Sequence, residues 1–278
     1  MNKFGGSWTN QKIEIITLYA KAYLTVMKDR PYFKLIYFDG FAGSGDISTE
    51  NEETIEGAAI KILSITEPKG FDIYYFVELN KKFAESLKAT IKSKFPERKF
   101  HVEQDDCNKK LKDLAVFLKR PENKNTKVLA FIDPKGMQVK WESLESLKNL
   151  SVDLWILVPT GMGVNRLLKN NGDISDDWLN RLMIFLGMSV DEIKSYFYKS
   201  KTELTLFGEE ETVSKEQNAI EIAAKLYKER LKKIFRNVSE PFVMKNSTNS
   251  PMYHFYMATN NDTGLKIAND VIKPKYKQ

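Results

Sequence analysis

Four short apolar runs in the first half of the chain each stop at an acidic residue, and that repeated ending constrains the fold more than anything else. The runs are Lys34-Leu35-Ile36-Tyr37-Phe38-Asp39, Phe71-Asp72-Ile73-Tyr74-Tyr75-Phe76-Val77-Glu78, Lys99-Phe100-His101-Val102-Glu103 and Lys127-Val128-Leu129-Ala130-Phe131-Ile132-Asp133. They are rich in β-formers and nearly continuous in apolar residues, as strands covered on both faces are. A fifth run, Val152-Asp153-Leu154-Trp155-Ile156-Leu157-Val158, completes the set. Between the runs, apolar residues recur at helical spacing in 57–65, 80–94, 111–119 and 141–150. Strands alternating with helices predict an α/β fold on a doubly wound, mostly parallel sheet.

The flanks of this core read differently. Residues 9–29 form a helical pattern, with Ile13, Ile15, Ile16, Tyr19, Ala20, Tyr23 and Leu24 on one face, and Pro31 ends it. After the fifth strand the alternation breaks. Residues 165–236 are helical by pattern, through Trp178-Leu179, Leu182-Met183, Phe185-Leu186, Ile193 with Tyr196-Phe197, and Ile220 to Ile234. Two final strands, around Phe242-Val243-Met244 and Tyr253 to Ala258, flank a turn-rich segment and predict a hairpin with a long loop. The expected organisation is an N-terminal helix over 1–30, a core over 31–164 and 237–278, and an inserted helical lobe over 165–236. The sheet is then seven-stranded and Rossmann-like, with the C-terminal hairpin separating it from a plain dinucleotide-binding sheet.

In such sheets ligands sit beyond the carboxyl ends of the strands. The first of these ends carries Asp39-Gly40-Phe41-Ala42-Gly43-Ser44-Gly45, whose small residues let backbone approach a ligand closely. Ser48 stands where a dinucleotide fingerprint has its third glycine, which counts against NAD. A ribose-binding acid is expected about 20 residues past the glycines. Glu78 lies 78 − 45 = 33 residues past Gly45, and removing the polar loop 46–56, which holds Glu50, Glu52 and Glu53, leaves 33 − 11 = 22. Glu78 is therefore the expected ribose acceptor, with Asp39, Phe41, Gly43 and Gly45 lining the same nucleoside pocket. After the third strand comes Gln104-Asp105-Asp106-Cys107-Asn108. Asp106, rather than Asp105, is placed to accept from the exocyclic amine of adenine; the alternative is a helix N-cap, which Asp supplies well. After the fourth strand, Asp133-Pro134-Lys135-Gly136 is either a plain turn or a turn that presents oxygens to an amine.

The bulk numbers limit the partners. The 43 Lys and Arg against 37 Asp and Glu give a net charge of +6, which favours anionic partners such as nucleic acid. Arg166, with Lys228 and Lys232 in the basic stretch 225–236, is a candidate contact to phosphates, and Lys273-Lys275-Lys277 a second basic cluster. A solvated helix face is the alternative for those lysines. One cysteine and two histidines leave no disulfide and no expected metal site. No run of about 18 apolar residues predicts a membrane span. The N-terminus carries no apolar signal stretch, so the expected compartment is the cytoplasm.

With these residues in view, the chain resembles the three-Cys-motif partner protein (TcmP) family of methyltransferase-like bacterial proteins. The likeness runs through Tyr37 to Gly45, Phe76-Val77-Glu78, Asp106-Cys107-Asn108, Phe131 to Gly136, Trp141, Val152-Asp153-Leu154, Asn165-Arg166 and Tyr253 to Gly264. The resemblance implies a class I methyltransferase fold that uses S-adenosylmethionine, and a radical-SAM-like partner protein bearing three cysteines. Methyltransferases that act on amino groups carry an Asp/Asn-Pro-Pro-aromatic turn after the fourth strand. Asp133 and Pro134 match it as the residues that would align the acceptor, whereas Lys135 and Gly136 depart from it. The function expected is methylation of a nucleic-acid base amine. The alternative is the same fold without catalysis, binding nucleic acid or a protein, for instance in a defence or mobile-element system. A metal-dependent nuclease fits poorly, since Val77-Glu78-Leu79-Asn80 lacks the lysine two places after the acid.

Overall fold

The computed structural model describes residues 7–48, 54–205 and 208–273. Glu50, Glu52 and Glu53 of the acidic loop, and Lys275 and Lys277 of the basic tail, lie outside the described residues. The chain opens with helix α1 (Ser7–Met27) and strand β1 (Lys34–Asp39), followed by a short ribbon of β2 (Asp46–Ser48) and β3 (Thr54–Glu56). Then come α2 (Ala58–Leu63), β4 (Ile73–Val77), α3 (Lys81–Lys94), β5 (Phe100–Glu103), α4 (Cys107–Lys119), β6 (Thr126–Ile132), α5 (Trp141–Glu145) and β7 (Val152–Val158). A π-helical turn (Thr160–Asn165) leads into α6 (Asp176–Leu186), α7 (Val190–Phe197), β8 (Tyr198–Thr205), β9 (Gly208–Lys215) and α8 (Ala219–Leu231). The chain closes with β10 (Asn237–Val238), β11 (Phe242–Lys245), β12 (Pro251–Thr259) and α9 (Asp262–Ile272).

The main sheet runs β5-β4-β1-β6-β7-β12, and β12 takes both β10 and β11 along its far edge. The five strands from β5 to β7 are parallel, and β12 lies antiparallel to β7. In order of appearance this is third, second, first, fourth, fifth, then the reversed final strand. That order, with the reversed strand beside the fifth, is the Rossmann-like methyltransferase sheet. Its described part has eight strands where seven were expected, because β10 adds a short pairing at Asn237 and Val238.

The strands are apolar throughout because each alternates between two cores. On β1, Ile36 and Phe38 point into one core while Leu35 and Tyr37 point into the other. On β6 the same split puts Val128, Ala130 and Ile132 against Leu129 and Phe131. Helix α1 covers the second core, burying Ile15, Ile16, Tyr19, Ala20 and Leu24 beside Ala268 and Ile272 of α9. Each fully buried Ile or Leu side chain stabilises by about 1.5–3 kcal/mol, so this face firmly fixes the helix. Tyr19 adds direction, donating to Asp153 of β7 at 2.8 Å. The first core lies under α4 to α8, with Leu182, Phe185, Ile193, Tyr227 and Leu231 packed among the strand residues.

Two expectations change. The segment 165–236 is not helical throughout, since β8 and β9 form an antiparallel ribbon in it, with Tyr198 opposite Lys215 and Lys201 opposite Thr212. The ribbon alternates polar and charged residues and lies off the main sheet, so it carries little apolar periodicity. The loop 46–56 also holds a ribbon, β2 with β3. Its base is closed where Gly57 N–H donates to the Gly45 carbonyl at 2.7 Å. The chain therefore resumes after the insertion where the glycine turn left it. Among the described residues, no helix is long and apolar enough to cross a membrane.

Candidate functional site

The parallel strands end together, and β1 is the point at which the strand order reverses, with β4 on one side and β6 on the other. A cavity of about 1130 Å³ opens there. It is lined by Asp39, Phe41, Gly43, Gly45, Glu78, Asp106, Asp133 and Pro134, all of which were singled out from the sequence. Ligand pockets commonly measure about 300–1,000 Å³, so the space suits a cofactor and part of a second reactant.

The glycine turn is held by carboxylates. Asp39, 1% exposed, accepts from Phe41 N–H at 3.1 Å and from the Tyr37 hydroxyl at 3.4 Å. Burial lifts its carboxyl to about 7, against the lowering effect of the Phe41 N–H, and the nearby Asp133 and Glu78 push it further up. Gly43 sits at φ +63°, which favours glycine, and its N–H donates to Glu78 Oε2 at 2.9 Å. Glu78 Oε1 accepts from Asn80 N–H at 2.8 Å. Each carboxylate oxygen has two lone pairs, so both Glu78 oxygens keep one for a ligand hydroxyl. Gly40 serves packing instead: a Cβ there would lie 2.5 Å from Cys107 Sγ and 2.7 Å from Ile132 Cδ1.

The next two strand ends brace this turn. Asp106 caps α4, its Oδ1 accepting from Asn108 N–H at 2.6 Å and Lys109 N–H at 3.3 Å. The N-cap alternative is thus realised, and both cap bonds use one oxygen of a residue that still lines the cavity. Asp105 is engaged elsewhere: the Lys109 ammonium and the Asp106 N–H hold it down at about 2. Asn108 ties α4 to the turn after β6, donating to Gln138 O at 2.9 Å and accepting from Lys140 N–H at 2.7 Å. Gln138 in turn closes Asp133-Pro134-Lys135-Gly136 by accepting from Lys135 N–H at 3.0 Å.

The structure adds residues that the sequence reading missed. Lys12 of α1 lines the cavity and pairs with Asp133 Oδ2 at 2.5 Å. Its sequence signal is a lysine one turn before Ile15 and Ile16, on the apolar face of a helix. Tyr253 of β12 also lines the cavity, and its hydroxyl is raised by burial and then by Asp133. Behind it, Thr160 and His254 hydrogen-bond at 2.7 Å, and burial lowers His254 to about 4, so the ring is neutral at physiological pH.

The residues picked for phosphate contact are not part of this wall. Arg166 is exposed and follows the π-helical turn after β7. Lys228 pairs with Glu240, and Lys232 with Glu229 at 2.8 Å. Two of the three cations are thus already matched by carboxylates, because the acids on α8 and near β11 alternate with the basic residues.

The cavity itself is acidic although the protein is basic. Asp39, Glu78, Asp105, Asp106 and Asp133 face Lys12 and Lys135. Such a lining opposes a pyrophosphate and favours a cationic ligand. The sheet order puts this glycine-and-acid pocket at the point where doubly wound sheets take their ligands. A scan of family models found no match to the chain, and a search of curated proteins found none, so neither shows the three-Cys-motif partner family that the sequence resembles. Among solved structures, the chain is similar to LPL1258 of Legionella pneumophila, with 13% identity and a TM-score of 0.44, over 95% of this chain and 91% of that one. Trm1 of Pyrococcus horikoshii, solved with S-adenosyl-L-methionine, shows 10% identity and a TM-score of 0.40 over 96% and 72%. An S-adenosylmethionine-dependent methyltransferase of Clostridium acetobutylicum shows 10% and 0.38 over 88% and 92%. Likeness at this level leaves the functional reading to the geometry of the site.

Proposed function

We propose that this chain binds S-adenosylmethionine and methylates an amine, with a nucleic-acid base as the acceptor. One observation carries the reading: Gly43 N–H and the Glu78 carboxylate, 35 residues apart, meet at the wall of an acidic cavity. That contact sets a bare backbone turn beside a carboxylate with lone pairs to spare, which is what a ribose diol needs. Asp106 would accept from the adenine amine through its second oxygen, while Asp39, Phe41 and Gly45 complete the pocket. The carboxylates that line the cavity suit a sulfonium and an ammonium.

S-adenosylmethionine supplies an activated methyl group on a sulfonium. The chain's own part is to align and desolvate an in-line displacement. Asp133 and the Pro134 carbonyl would accept from the acceptor amine and aim its lone pair. Tyr253 offers the cavity an aromatic wall that the Lys135-Gly136 turn lacks. The net charge of +6 and the exposed Arg166 support an anionic polymer as the acceptor's carrier. Lys228 and Lys232 would contact phosphates only by leaving Glu240 and Glu229.

A second reading, binding without transfer, is favoured by one feature: the Asp133 carboxylate is already engaged by Lys12. Tritiated methyl transfer to total bacterial RNA, DNA and protein separates the two. Label in RNA or DNA that disappears in Asp133→Ala supports the proposal. Binding of S-adenosylmethionine without label in any fraction sinks it in favour of the second reading.

A further inference from the structure

Lys12 lies on the face of α1 that packs against the sheet, and only 7% of it is exposed. A lysine on such a face opposes folding unless its ammonium is paired. The pairing spans 121 residues, joining the first helix to the end of β6. Around Asp133 the other charged and titratable groups include Asp39 and Tyr37 on β1, Tyr253 on β12 and Lys135 in its own turn. Two carboxylates at the ends of adjacent strands repel each other, and the hydrogen bonds that Asp39 accepts from the Tyr37 hydroxyl and Phe41 N–H go to that carboxylate and not to Asp133. The cation arrives from α1, and it engages Asp133 rather than Asp39.

We infer that Lys12 is a positioning residue for methyl transfer: by occupying Oδ2 it fixes the Asp133 carboxylate and leaves Oδ1 for the acceptor amine. The inference rests on the amine-methylation reading. In that reaction the amine lone pair forms the new N–C bond as the C–S bond of the sulfonium breaks, and the methylated nitrogen then sheds one proton to water. Lys12 makes no bond in the step, because an ammonium has no lone pair. Its contribution is to stop the carboxylate rotating when the amine arrives. The N-terminal helix thereby becomes part of the acceptor wall, to which Thr9 and Ile13 also contribute.

The test compares Lys12→Met, Lys12→Arg, Asp133→Asn and the Met/Asn double variant with the unmodified protein. Three quantities are measured: tritiated methyl transfer to total RNA and DNA, calorimetric affinity for S-adenosylmethionine, and thermal unfolding. Lys12→Met is expected to lower kcat about a hundredfold while cofactor affinity stays within about twofold, and Lys12→Arg to restore most of the rate. The double variant should transfer no more slowly than Asp133→Asn and should be destabilised by less than the two single losses combined. Undiminished transfer in Lys12→Met overturns the inference, and raised transfer overturns it by marking Lys12 as an occupant that the acceptor displaces. Rate losses that multiply in the double variant overturn it too, as does cofactor affinity falling in step with rate. If Lys12→Met does not fold, Lys12→Arg decides: its transfer near the unmodified rate supports the inference, and transfer as low as in Asp133→Asn overturns it. Absence of label with the unmodified protein is a different failure, which removes the methylation reading and the inference with it.

Discussion

The two halves of the cavity are built by different means. The half proposed for the nucleoside joins strand ends that are neighbours in the sheet, and its contacts run from backbone N–H to carboxylate: Phe41 to Asp39, Gly43 to Glu78, Asn80 to Glu78. The half proposed for the acceptor depends on side chains brought from far apart in the sequence, Lys12 on α1 and Tyr253 on β12, around the Asp133 turn. The first half fails when a Cβ enters it. The second fails when one distant side chain is lost. A backbone cradle is sensitive to bulk and indifferent to much else, whereas a charge pair is sensitive to identity.

The sharpest way to break this contrast is Gly43→Trp. A side chain at Gly43 points into open space, with nothing within 4 Å of its Cβ, so it fills the cavity rather than the core. Cofactor affinity is expected to fall at least about a hundredfold by calorimetry, while the left-handed backbone costs the fold only about 1–2 kcal/mol. Next in size is Gly40→Val, which forces a Cβ against Cys107 and Ile132. It should lower stability by about 1–3 kcal/mol in chemical denaturation, an overpacking loss that needs no ligand to be seen.

A smaller effect probes the carboxylate behind the turn. Asp39 is raised from 3.8 to about 7, chiefly by burial. As pH climbs through that interval the unfolded chain releases the proton that the folded chain still holds, so this group's contribution to stability falls, and it levels off above the interval. Asp39→Asn removes the dependence. The variant's stability relative to the parent should therefore rise steadily between pH 4 and pH 7. A flat difference contradicts the assignment. The smallest effect is Lys232→Ala, which removes an exposed pair with Glu229 and should change stability by less than about 0.5 kcal/mol.

The same contrast explains what was legible in the sequence. The nucleoside half could be read because its parts are local: a glycine turn at one strand end, and an acid at the next once the insertion is subtracted. That subtraction holds because Gly45 and Gly57 meet at the base of the β2–β3 ribbon. Helix α1 was legible through its apolar spacing, and the C-terminal hairpin through its turn-rich loop. Lys12 was not, because the pairing that makes it tolerable lies 121 residues away and leaves no local pattern. The β8–β9 ribbon was missed for a related reason. Its strands pair with each other off the main sheet, and residues 199–202 and 212–214 are exposed, so among the described residues no buried face imposes an apolar alternation that would separate it from its helical neighbours. Basic residues were legible as charge but not as partners, since the acids opposite Lys228 and Lys232 are fixed by folding.

The central claim is that the strand ends around Gly43 and Glu78 form a site for S-adenosylmethionine. A calorimetric titration of the unmodified protein with that cofactor tests it directly. The geometry predicts saturable binding at one site with micromolar affinity; no heat of binding, with NAD giving a saturable signal in its place, would contradict it.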